Sequence, residues 1–136
     1  MKYLAPITLV IASILFLANS ASTMETSNNP AKIARIWRGW TSPQTAEKLE
    51  HILRDEAIPS IEKNKPDGLK GIELLTLPDG NEVMFTTIMY FESIESVKAF
   101  AGEDYSKAHI DPAVAPLLSR FDNTVAHHTI KESKSW

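Results

Sequence analysis

From residue 33 onward, apolar positions recur with two different periods. Ile33-Ala34-Arg35-Ile36-Trp37-Arg38-Gly39-Trp40 is β-branched and aromatic, which predicts a first strand. Thr41-Ser42-Pro43-Gln44 reads as a helix start, with Thr41 as cap, Gln44 completing a capping box and Pro43 in the first turn. Ala46, Leu49, Leu53, Ala57 and Ile61 then recur every three or four residues with Ile52 alongside, one helical stripe that Pro59 should kink or end. Pro66-Asp67-Gly68 is a turn. A second strand is predicted over residues 69–77, a hairpin turn over 78–81 centred on Asp79-Gly80, and a third strand over 82–91. That third strand is apolar on both faces, so both should be covered. Ser93 caps a second helix with the stripe Ile94, Val97, Phe100 and Ala101, and Gly102 ends it. Short helical turns are expected over 103–109 and from Asp111-Pro112 through Leu118, then a last strand over 123–130 and a polar tail.

The order is β-α-β-β-α-β around an antiparallel hairpin, an α+β, ferredoxin-like arrangement with helices on one face of the sheet. The helices can cover only one face of strand three. A second subunit is the natural cover for the other, and a homodimer is therefore expected.

The residues before 33 differ in kind. Met1-Lys2-Tyr3 is a short positive start, and residues 4–18 carry no charge. That run falls short of the about 20 residues of a membrane span and fits the apolar region of a secretory signal, with small residues at Ala18 and Ser20 before a cut at Ala21. Residues 1–20 are therefore expected to be an export signal and 21–32 a Ser/Thr/Asn-rich linker. The domain should occupy 33–131 and the polar tail 132–136. Losing Lys2 takes the net charge of the mature chain from -3 to -4. An acidic balance argues against a nucleic-acid partner, and after cleavage no membrane segment is expected. The chain has no Cys, which removes disulfides, thiolate metal sites and a Cys nucleophile. No glycine-rich nucleotide loop, HExxH, DxDxDG or G-x-S-x-G motif occurs.

Three segments carry a resemblance. They are Ile36-Trp37-Arg38-Gly39-Trp40-Thr41, residues 91–105 from Phe91-Glu92-Ser93 to Glu103-Asp104-Tyr105, and Leu118-Ser119-Arg120-Phe121-Asp122 leading to Val125-Ala126-His127. Together they resemble the antibiotic biosynthesis monooxygenase-like proteins of the dimeric α+β barrel superfamily, over residues 33–131. The resemblance implies a homodimer with facing sheets and a pocket between sheet and helices. It also implies aromatic, Asn, Arg or His side chains that handle a phenolic substrate and oxygen without a cofactor. Related sequences often carry Trp where Phe91 stands, and Phe lacks the indole donor. In the heme-degrading branch an Ala-His pair placed like Ala108-His109 supplies an iron ligand.

His109, Arg38 and Tyr90 are the catalytic candidates, as base, anion clamp and hydroxyl donor. Trp37, Trp40, Phe91, Tyr105 and His127 are the candidate pocket residues. Each has a plainer role: a helix-terminal histidine for His109, ion pairs with Glu73 or Glu82 for the arginines, packing for the aromatic rings. Alternation places Arg35 with Trp37 on one face and Arg38 with Trp40 on the other. By the same rule His127 and His128 point apart and cannot share one ion, so no metal site is expected. His51 lies off the apolar stripe and should be solvated. Two functions follow. One is an exported, cofactor-independent oxygenase acting on a small aromatic compound. The other is a non-catalytic exported protein that binds a small apolar ligand or heme.

Overall fold

The computed structural model describes residues 28–136. The expected export signal at 1–20 and the linker up to residue 27 lie outside the described residues. Order begins before Ile33: Asn29 Nδ2 donates to Glu92 Oε1 at 2.6 Å, and Lys32 N–H donates to the Phe91 carbonyl at 2.8 Å.

Strand β1 (Ile33–Thr41) is central. It pairs antiparallel with β3 (Glu82–Phe91) on one side, and β3 pairs with β2 (Leu69–Asp79). The β2–β3 turn is Gly80-Asn81, and Gly80 has φ +61°, as a two-residue turn with glycine first requires. On its other side β1 pairs with two short strands, β4 (Arg120–Phe121) and β5 (Ala126–Thr129). The sheet order is β2-β3-β1-β4, with β5 also on β1. This is the ferredoxin-like α+β arrangement, with the last strand broken in two.

The first helical layer runs from Pro43 to Lys63 in three pieces: α1 (Pro43–Ile52), a π-helical turn (Leu53–Ala57) and α2 (Ile58–Lys63). The expected break at Pro59 takes this form. Proline has no N–H for the ladder, and the turn before it widens so that Ile58 N–H reaches the Leu53 carbonyl. The N-cap is Ser42, not Thr41, and it makes no side-chain cap bond. Thr41 ends β1, fully buried, with its hydroxyl on Thr45 and the Leu117 carbonyl. The second helix, α3 (Ile94–Ala101), is closed by a reciprocal Ser93–Ser96 capping box and ends at Gly102 with φ 89°.

The segment after Gly102 is less helical than its spacing predicts. Only Ala115–Leu117 forms a 3₁₀ turn. Its backbone groups are used across the fold instead: Ala108 N–H donates to Asn123 O at 2.9 Å, Val125 N–H to Ser106 O at 2.7 Å and Ser119 N–H to Trp40 O at 2.8 Å.

Two core clusters lie between sheet and helices. One centres on Ile33, Leu69, Met89, Phe91 and Val97, the other on Leu49, Phe85 and Val114. The opposite sheet face carries Ile36, Met84 and Ile88, with Leu75 and Leu77 exposed at 43% and 54%. Among the described residues no helix is long and apolar enough to cross a membrane.

Phe91 is 0% exposed and packs its ring 5.6 Å from that of Phe100. Phe91→Ala is expected to cost about 3–5 kcal/mol through lost burial and a residual cavity. Urea unfolding should show a lower midpoint with an unchanged slope.

Candidate functional site

The strand break builds the site. Gly39 pairs with Phe121 and Ile36 with Ala126, so residues 122–125 stand opposite only Trp37 and Arg38. Asp122 pins the start of this bulge. Its N–H donates to Arg38 O at 2.9 Å, its carbonyl accepts from Trp37 Nε1 at 2.9 Å, and its carboxylate accepts from Arg38 Nε at 2.8 Å. Residues beyond it swing outward and pair with residues 106–108 through the Lys107–Thr124 bridge. That pairing fixes the segment from Tyr105 to Asp111 over the helix-facing side of the sheet.

Beneath it lies a cavity of about 220 Å³, lined from both core clusters. The sheet supplies Arg35, Trp37, Thr87 and Met89. The first helical layer supplies Leu53 and Ala57 from the π-helical turn, with Ile61. Phe100 closes the α3 side, and His109, Ile110, Asp111 and Val114 form the loop wall. The π-helical turn presents small Ala57 between Leu53 and Ile61, and α3 ends at Ala101, so neither helical layer fills the space above Arg35.

Trp37 lies flat because position 39 is glycine. A Cβ at Gly39 would stand 2.6 Å from Trp37 Cη2 and 3.0 Å from Leu118 Cδ2. The indole then sits against the backbone, with its N–H committed to Asp122.

Arg35 is half-buried, and burial lowers its pKa from the ordinary arginine value; it stays charged. Its Nη1 donates to the Tyr105 carbonyl at 2.7 Å and lies 2.9 Å from His127 Nε2. A guanidinium has no lone pair to offer, so His127 Nε2 must accept and its ring proton must sit on Nδ1. Burial first, then the charges of Arg35 and His128, push the His127 pKa below its ordinary value. The Tyr105 ring meets His127 edge-on at 5.1 Å, and Lys98 Nζ lies over the Tyr105 ring, 5.9 Å from its centroid.

The predicted residues divide across the sheet. His109 and Trp37 line the cavity. Arg38 and Tyr90 do not share it: Arg38 pairs with Thr86 and Tyr90 with Ala34 in register, which puts both on the opposite face. Arg38 is held there by Asp122 and lies over the Trp40 ring at 5.3 Å. Tyr90 is bonded to Glu73, and this bond, then burial, raises its hydroxyl pKa. Trp40 is likewise on the far face, 6% exposed, between Arg38 and Arg120, with Nε1 on Asp79. Phe91 faces the helices but is sealed in the core. Tyr105 offers its carbonyl, and His127 offers its ring to Arg35; neither lines the cavity. His128 faces away from His127, and His51 is an exposed partner of Asp55. The arginine in the lining is Arg35, not Arg38, and its parity with Trp37 along β1 is the sequence signal that marks it.

Among the described residues no three His, Asp or Glu side chains gather as a metal would need. The cavity is smaller than the about 300–1,000 Å³ of drug-sized ligand sites. A heme macrocycle does not fit this space.

No family model matches the chain, and no curated protein matches it. In structure it is similar to a crystal structure of a Bacillus cereus protein named as a candidate antibiotic biosynthesis monooxygenase, with TM-score 0.53 and 16% identity. The match covers 78% of this chain and 99% of that one. At that identity the likeness is one of fold.

The Arg35–His127 contact has a pH signature. The unfolded chain binds a proton at His127 near pH 6.5, whereas the folded chain resists it, so stability is full above that pH and falls below it. Glu82, held down chiefly by the Ser119 hydroxyl, and Asp55, held down chiefly by Arg54, act only at lower pH. Between pH 7.5 and 5.5 the melting temperature of the wild type should drop further than that of His127→Gln, whose amide oxygen can accept from Arg35 and takes no proton. Equal drops would show that His127 stays solvated.

Proposed function

We propose that this chain is an exported protein like the antibiotic biosynthesis monooxygenases, which takes a small aromatic compound into the cavity under residues 105–111 and oxygenates it without a cofactor. The observation that carries the reading is the cavity itself. Its apolar walls, Trp37, Met89 and Phe100, can receive one ring, and its polar groups, His109 and Arg35, stand at different walls.

In this reading a phenol enters with its ring against Trp37. His109 at the mouth takes the phenolic proton as general base. The resulting electron-rich ring reduces dioxygen. One oxygen atom is retained in the quinone product and the other leaves as water, so phenol plus O₂ gives quinone plus water with no external reductant. The plain alternative is a protein that holds such a compound without turning it over.

Oxygen uptake across a panel of phenols and hydroquinones separates the two. Wild type should consume oxygen with at least one of them, and His109→Ala should lose about 10²-fold or more of that rate. Tyr90→Phe, on the far face, should leave the rate unchanged. Binding with no uptake above the His109→Ala background would leave only the binding protein.

The far sheet face completes the proposal. A second copy covers it, because Ile36, Met84, Ile88, Leu75 and Leu77 form an apolar surface that no element among the described residues covers. Light scattering at micromolar concentration should give the dimer mass. Ile88→Glu, which puts a charge in the middle of this face, should give the monomer.

A further inference from the structure

The four arginines are not alike. Arg38 reaches Asp122 at 2.8 Å, Arg54 reaches Glu50 at 2.8 Å and Arg120 reaches Glu82 at 3.1 Å. Arg35 is the most buried of these side chains in its setting, and no carboxylate among the described residues comes within 4.0 Å of it. A charge without a counter-ion among apolar walls is the costlier arrangement.

Its hydrogen bonds show which side is left over. Both contacts, to the Tyr105 carbonyl and to His127 Nε2, use Nη1. The Nε–H and Nη2–H donors form the side-on fork of a guanidinium, the edge that meets a carboxylate through two parallel bonds. Neither has a protein acceptor among the described residues. Among the described residues no buried side-chain nitrogen lacks a partner, so this edge is not sealed away, and Arg35 is one of the residues that line the cavity. The Phe100 ring, 5.9 Å from Cζ, backs the guanidinium plane. Asp111 is the one carboxylate in the lining. It is exposed at the mouth, and its Oδ1 already accepts from Ala113 N–H at 2.8 Å.

We infer that the cavity takes an aromatic carboxylate: the Nε–Nη2 edge of Arg35 receives the carboxylate, and Trp37 and Met89 receive the ring. His127 and the Tyr105 carbonyl are positioning groups that occupy Nη1 and turn the free edge inward. This rests on the cavity being the ligand site, and it adds the sign of the ligand's charge and the residue that reads it. A volume of about 220 Å³ limits the ligand to about one ring with small substituents.

The test uses a pair matched in shape and different in charge, 4-hydroxybenzoate and 4-hydroxybenzamide, titrated calorimetrically into wild type at pH 7.5. The acid should bind about tenfold or more tighter than the amide. Arg35→Gln should bind both equally, with its amide affinity near that of wild type. Arg35→Lys, which keeps the charge and loses the fork, should recover part of the preference. Equal affinities in wild type, or a preference that survives in Arg35→Gln, would overturn the inference while leaving the cavity as the ligand site. If wild type binds neither compound, the cavity reading falls and this inference falls with it. The wild-type comparison and Arg35→Lys decide the matter even if Arg35→Gln does not fold.

Discussion

Asp122 holds the split edge of the sheet to its central strand, and the site hangs from that attachment. Its N–H, carbonyl and carboxylate are all bonded to the Trp37–Arg38 dipeptide. Four residues of one strand can stand opposite two of another only if the surplus leaves the sheet, and the surplus here leaves toward residues 106–108. The loop that carries Tyr105 and His109 is thereby brought over β1. The backbone carbonyl that orients Arg35 and the imidazole at the cavity mouth both arrive through this one bulge.

The two faces of β1 treat the same residue types in opposite ways. On the far face Arg38, Arg120 and Trp40 form a stack in which each cation has a carboxylate, from Asp122, Glu82 or Asp79. That charge is neutralised and largely wet. On the near face Arg35 sits among methyl groups and rings with a neutral histidine and a carbonyl for company. Coulomb energy grows as the surroundings dry, so an added anion gains more beside Arg35 than beside Arg38. The difference between a structural arginine and a binding arginine is one of surroundings, three residues apart in the chain.

Much of the fold is written in local spacing. The first three strands, the stripe from Ala46 to Ile61, the Ser93 cap and the Gly102 stop are short-range features, and each appears where its pattern places it. The segment from Glu103 to Leu118 is different. Its spacing is weakly helical, but its N–H groups find carbonyls in residues far away in sequence, and those bonds displace the helical turns. The site residues divide on the same principle. Trp37 and His109 carry chemistry legible in their side chains and positions. Arg38 and Tyr90 carry equally suggestive chemistry, yet period-two alternation sends them through the sheet to the far side.

Local spacing sets the α+β order, the grouping of β1 residues onto two faces, and the apolar character of strand three on both sides. These depend on backbone periodicity and on neighbours a few residues apart. Packing in three dimensions selects which face of β1 looks into the cavity, breaks the last strand at Asp122, and among the described residues gives Arg38 a carboxylate and Arg35 none. Those outcomes depend on contacts such as Trp37 with Asp122 and Arg35 with His127. Their partners are separated by 85 and 92 residues, a distance over which spacing carries no information and packing decides.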